Sequence, residues 1–228
     1  MSPILCLHGA LGTKAQLQPF TSLLRQYEVH TLNFSGHGDA GPAHTDLSIP
    51  LLAGEVLHYL ESRQLRSVPV FGYSMGGYVA MYLARHYPEA ISRVATLGTK
   101  YHWDAATAAK ETKMLDAAVI EQKVPAFAAA LKERHAPQDW KQVLSATATL
   151  MQGLGRQPAL GPEDYTAIRT PCLLMLGDRD TMVSLHETLE VYKALPDGRL
   201  AVLPATPHPI EKVDPDLVSV LVQRFINE

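Results

Sequence analysis

The sequence predicts an α/β protein: a mostly parallel six-stranded sheet flanked by helices, with one helical insertion. Three observations carry this. Short runs rich in Val, Ile and Leu recur along the chain, as expected of parallel strands covered on both faces. Amphipathic segments separate most of these runs, the alternation of strand–helix units. Between about residues 100 and 165 the rhythm stops and only helix-like tracts occur. At 228 residues the chain suits a single domain with a sizeable core, residues 1–228, carrying the insertion at 100–165 within it.

In chain order, the expected strands are Ile4–Leu7, Val29–Phe34, Val68–Phe71, Val94–Leu97, Cys172–Leu176 and Leu200–Leu203. Leu51–Gln64 follows a helical period, with Leu52, Val56 and Leu60 on one face. Tyr78–Tyr87 is a second helix, with Pro88 as its stop signal, and Leu217–Ile226 is a third. Inside the insertion the tracts are Ala105–Leu115, Val124–His135 and Gln138–Leu150, with Asp104 and Pro137 as start signals for the first and third. An insertion between two sheet strands lies over one edge of the sheet, where it can cap a site. The plainer alternative is helical packing on a sheet face.

Composition narrows the classes. Hydrophobic residues make up 46% and charged residues 19%, a folded and soluble balance. The formal charge is −3 with no basic block, which disfavours a nucleic-acid partner. Cys6 and Cys172 each sit in an apolar run and read as buried free thiols. No Cys/His cluster predicts a metal site. "MSPILCLHGALG" carries no basic leader, and no run approaches the length of a membrane span. The expectation is a soluble cytoplasmic protein acting on a small molecule, with no membrane partner, cofactor or metal. The sequence sets no oligomeric state.

One stretch points to chemistry. "FGYSMGGYVAMYLARHYP" places Ser74 within G-x-S-x-G, directly after a strand and before a helix. Gly and Ser are ordinary turn residues. A strained strand-to-helix bend explains more: the glycines admit close backbone contacts, the serine hydroxyl is lifted clear of the sheet, and the Met75 N–H faces the site at a helix N-terminus. Such a serine needs a base. Of ten histidines, His208 is singled out by its place after the last strand, at the carboxyl end of the sheet where α/β sites form. "GDRD" offers Asp178 and Asp180 to orient it. Asp180 lies further into the loop and is the better placed, while Asp178 suits capping the turn. The glycine-bearing "LHGALG" loop after the first strand is expected to turn the Ala10 N–H towards Ser74, pairing with Met75 as an oxyanion hole, with His8 bracing the loop. That loop lacks dinucleotide spacing and any Walker lysine.

Together "LHGALG", "NFSGHGDA", "GYSMGG", "GDRDTMV" and "TPHP" resemble, in order and context, the α/β-hydrolase superfamily over nearly the whole chain. The resemblance is to small members with a helical cap: carboxylesterases, C–C bond hydrolases of ring-cleavage products and the lyase of menaquinone synthesis. It implies Ser74 as nucleophile, His208 as base, Asp180 as orienter, and Ala10 with Met75 as oxyanion donors. Three departures stand out. The usual N-terminal antiparallel hairpin is not expected, Asn33 stands where an acidic residue often precedes "GHG", and prolines flank His208 on both sides.

These features imply a serine hydrolase of the carboxylesterase type, cleaving a small ester through an acyl-enzyme. The rivals are a C–C hydrolase or lyase using the same triad, and a receptor-like binding protein with little or no turnover. An acidic substrate would want a cation, for which Arg85, Lys100, Lys110, Lys113 and Arg179 are candidates. Leu11, Tyr73, Tyr101, His102, Trp103 and Met151 are the expected pocket residues, although the aromatics among them can equally pack the insertion onto the sheet.

Overall fold

A computed structural model describes residues 1–42 and 46–228. Its six strands are β1 (Ser2–Leu7), β2 (Tyr27–Thr31), β3 (Val68–Tyr73), β4 (Ile91–Leu97), β5 (Cys172–Gly177) and β6 (Gly198–Leu203). They form one sheet in the order β2-β1-β3-β4-β5-β6, with every pairing parallel. All carboxyl ends therefore lie along one edge. Among the described residues no antiparallel strand extends the sheet beyond β2.

Burial follows the strand period of two. Leu5, Leu7, Val70, Val94 and Leu174 enter a core on one face, while Ile4, Cys6, Phe71, Tyr73, Leu173 and Met175 enter a core on the other. The first face is covered by α2 (Ile49–Ser62) and α3 (Met75–His86), with Val191 of α9 (Leu185–Ala194) at its rim. The second is covered by Phe20 of the short α1 (Gln18–Thr21) and by Val218, Val222 and Phe225 of α10 (Pro215–Ile226). Side chains on alternate strand positions point to opposite faces, so each strand serves both cores. Cys6 and Cys172 are both buried and free.

The chain from Ala105 to Ala167 contains helices and turns but no strand. It comprises α4 (Ala105–Thr112), α5 (Ala117–Lys123), α6 (Pro125–His135), α7 (Trp140–Arg156) and α8 (Pro162–Ala167). Helices α4, α5 and α7 each start at an aspartate whose carboxylate accepts backbone N–H bonds: Asp104 from Thr107, Asp116 from Ala118 and Val119, and Asp139 from Lys141. The third tract therefore starts at Asp139 and not at Pro137. Helices α5 and α8 divide ground that the sequence leaves unassigned. β2 also ends at Thr31, short of the expected Phe34; Phe34 is buried because its loop folds onto His8, with ring centroids 5.0 Å apart. No described helix is long and apolar enough to cross a membrane.

Candidate active site

The bend after β3 is the most strained point of the site. Ser74 has φ 50° and ψ −115°, a conformation that non-glycine residues seldom hold and that costs on the order of 1–3 kcal/mol. The fold holds it there. Its N–H donates to the Leu97 carbonyl of β4 at 2.9 Å, and its own carbonyl accepts the Thr99 hydroxyl at 3.1 Å. The flanking glycines permit the approach: a Cβ on Gly76 would stand 2.6 Å from the carbonyl oxygens of Leu7 and His8, and one on Gly72 would stand 2.5 Å from Gly77 backbone. Met75 then opens α3, so its N–H lies at a helix N-terminus.

The loop after β1 comes against this bend through Gly9, where an added Cβ would meet Ser74 Cβ at 3.1 Å. Ala10 follows at the cavity wall, inside a turn closed by Gly12 N–H to Gly9 carbonyl at 3.1 Å. His8 braces the turn: its Nδ1 donates to Gly9 carbonyl at 2.8 Å and its Nε2 accepts the Phe34 N–H at 3.1 Å. Leu11 does not line the cavity. Its carbonyl instead accepts bonds from α6, at 3.0 Å from Arg134 and 3.1 Å from His135 Nε2. His135 Nδ1 in turn accepts the Gly38 N–H at 3.2 Å, and His37 lies between His8 and His135, with ring centroids 5.1 and 5.5 Å away. Burial depresses all three histidines: His8 well below its ordinary value, His37 to about 4 and His135 to about 4. They are neutral struts.

His208 stands in the loop after β6. Its Nδ1 donates to Asp180 Oδ2 at 2.7 Å, with the histidine side chain 10% and the aspartate side chain 2% exposed. Asp180 Oδ1 accepts the N–H groups of Met182 and Val183 at 2.8 and 2.9 Å. Burial pushes the Asp180 carboxyl up, but the bonds from His208, Val183 and Met182 outweigh it and the net shift is downward. Asp178 is turned elsewhere, accepting the Thr206 N–H at 3.2 Å. Gly98, at φ 58°, closes over the His208–Asp180 pair; a Cβ there would come within 3.3 Å of both. Tyr73 lies beneath this pair and not in the cavity, donating its hydroxyl to the His208 carbonyl at 2.9 Å. It belongs to the opposite core with Phe71, two residues back on β3.

Ser74, Met75, Ala10 and His208 share one cavity, roofed by Leu150, Met151 and Leu154 of α7. Met151 and Trp103 line it as the sequence suggests. Tyr101 and His102 do not; they line a neighbouring cavity of about 420 Å³, with Trp103 between the two. Ile49, Tyr78, Glu111 and Val183 also line the cavity beside Ser74 and are not among the residues the sequence singles out. For Ile49 and Tyr78 a signal existed, since both stand on helices whose strands lead to the edge. Glu111 had none. Among the described residues no cluster of three or more His, Cys, Asp or Glu is placed to hold a metal ion. Burial raises both cysteine thiols, so neither offers a thiolate.

This arrangement offers a hydroxyl on a strained bend, an imidazole held by a buried carboxylate, and a helix-terminal N–H, all at the carboxyl edge of a parallel sheet. Comparison with known proteins agrees on the fold. A Bacillus subtilis (strain 168) protein, provisionally named 2-succinyl-6-hydroxy-2,4-cyclohexadiene-1-carboxylate synthase, is 25% identical over 98% of this chain and 89% of its own. The Danio rerio sn-1-specific diacylglycerol lipase ABHD11 is 23% identical over 97% of this chain and 77% of its own. The crystal structure of the enol-lactonase from Burkholderia xenovorans LB400 superposes with a TM-score of 0.80 at 19% identity, covering 100% of this chain and 92% of that one. The family model of the alpha/beta hydrolase fold matches residues 2–214, and the chain belongs to that family.

Proposed function

We propose that the protein is a serine hydrolase of small carboxylic esters. The observation that carries this reading is the 2.7 Å His208–Asp180 pair, facing the same cavity as the strained Ser74. In this reading His208 Nε2 takes the Ser74 hydroxyl proton as Oγ attacks the ester carbonyl. The N–H groups of Met75 and Ala10 hold the oxyanion of the tetrahedral intermediate. The C–O bond to the alcohol then breaks, and the alcohol leaves with the proton from His208. Water, deprotonated by the same imidazole, attacks the acyl-enzyme, releasing the acid and restoring Ser74. Asp180 fixes the tautomer with Nε2 free and stabilises the imidazolium. The helices over the cavity act as the cap.

The Bacillus subtilis relative is named as a synthase of a carboxylate, which favours a second reading in which the same triad acts on an acidic metabolite. The charges at the cavity, described below, argue against an acidic substrate. The test is labelling by a fluorophosphonate probe on the native protein and on Ser74→Ala, with hydrolysis of p-nitrophenyl esters of rising acyl length. Labelling at Ser74 with turnover that falls about 10³-fold or more in Ser74→Ala is expected. A folded protein that neither labels nor turns over any ester would overturn the hydrolase reading.

A further inference from the structure

Lys and Glu side chains meet the cavity beside Ser74 at two points, Lys100 after β4 and Glu111 on α4. Lys100 is committed. Its ammonium donates to the Met182 carbonyl at 2.6 Å and stands 3.6 Å from Glu111 Oε1 and 3.9 Å from Glu187 Oε2. Glu187 is satisfied as well, accepting the Tyr101 N–H and the N–H and hydroxyl of Ser184, each at 3.1 Å. Glu111 differs from both. Its side chain is only 2% exposed, it lines the cavity, and the Lys100 ion pair is its one polar contact among the described residues. A carboxylate offers about four acceptor sites, so most of its capacity is unused. The same cavity is lined by Trp103, whose buried indole N–H has no partner among the described residues.

Charge and hydrogen bonding then select in the same direction. One ammonium against two carboxylates leaves a net charge of −1 around Lys100. A substrate carboxylate would bring a second negative charge and only acceptors to a wall that needs a donor. A hydroxyl brings both a donor for Glu111 and an acceptor for an indole N–H. Apart from Ser74, His208 and Tyr78, the remaining walls are apolar. We propose that Glu111 is a specificity residue: it accepts a hydrogen bond from a hydroxyl on a neutral ester substrate, and with Glu187 it excludes esters that carry a carboxylate. This rests on the hydrolase reading above and narrows its substrate class.

The test compares methyl butanoate, methyl 3-hydroxybutanoate and monomethyl succinate, which differ at the acyl chain by a hydroxyl or a carboxylate. Turnover is followed by proton release on the native protein and on Glu111→Gln and Lys100→Met. Glu111→Gln is expected to raise kcat/KM for monomethyl succinate relative to methyl butanoate by about tenfold or more, and to lower the 3-hydroxy ratio by about tenfold. Lys100→Met, which unbalances two carboxylates, should shift the succinate ratio the other way and serves if the first variant fails to fold. Calorimetric binding of the same esters to Ser74→Ala carries the same ratios without chemistry. Discrimination seen in binding but no turnover by the native protein would thus sink the hydrolase reading and leave the selectivity standing. Either ratio unchanged within about twofold, in binding and in turnover, overturns the assignment.

Discussion

The sheet edge and the helical insertion meet at one cavity but are built differently. The strands beneath Ser74 are buried over most of their length: Ile4, Leu5, Cys6 and Leu7 of β1 and Leu174 of β5 have no exposed surface. In the insertion Met114, Val119, Val124 and Phe127 are all at least two-fifths exposed. At the edge, backbone approaches backbone closely enough that glycines are required. Above it the helices meet mostly through side chains, although α7 approaches α4 closely at Gly155, where an added Cβ would meet Ala108 Cβ and stand 3.0 Å from the Asp104 carbonyl oxygen. Close-packed backbone tolerates almost no change in volume, whereas packed side chains can adjust. Ser74, Met75, Ala10 and His208 come from the tight region, and the roof of the cavity from the looser one.

The largest expected effect lies at the edge. Asp180→Asn should lower ester turnover by about 10⁴-fold by spoiling the imidazole tautomer, while Asp178→Asn, bonded to Thr206 and half exposed, should cost less than about tenfold. Equal losses in the two variants would place the orienting carboxylate wrongly. Next comes Gly76→Ala, expected to destabilise by about 3 kcal/mol in urea unfolding, because the added carbon meets backbone oxygens that cannot move aside. A variant with native stability would show the bend to be loose.

The seam between the regions has its own signature. His37 and His135 hold folded pKa values of about 4, against an ordinary value near 6.5. Below about pH 6.5 the unfolded chain binds protons that the folded one refuses, so stability is full above that value and falls as pH drops towards 4. For His37 the loss is on the order of 3 kcal/mol. The urea midpoint should fall over this window, and His135→Gln should flatten the fall; a flat native profile would show that the struts titrate freely. The smallest effect reverses the sign of the glycine rule. Gly153→Ala on α7, where an added Cβ meets nothing within 4 Å, should stabilise by about 0.5–1 kcal/mol. Destabilisation there would make the insertion as tightly packed as the edge.

Legibility followed the same divide. Strand runs such as "CLLMLG" are apolar without interruption because both faces are covered, so β5 and β3 could be placed within two residues. Phe34 misled because loop residues are also buried when they fold onto the core. Helix α9 is not among the helices expected from the sequence, although Ser184 and Glu187 form a capping box that marks its start. Tyr73 is expected among the pocket residues, yet it shares the second core with Phe71, two residues back on β3, as the strand period requires.

The sequence by itself determined the parallel sheet, the bend at Ser74 and the placing of Asp180 and His208 in loops at one edge. Those depend on local periodicity and on which residues a tight turn admits. Only the tertiary structure decided that Tyr73 lies under His208, that Leu11 is tied to α6, and that Glu111 faces the cavity while Tyr101 and His102 face another. The first depends on how the loop after β6 folds over β3, the others on how the insertion lands on the edge. That docking is fixed by contacts between residues far apart in the chain, such as His135 with Leu11 or Leu160 with Tyr78, and no local pattern encodes them.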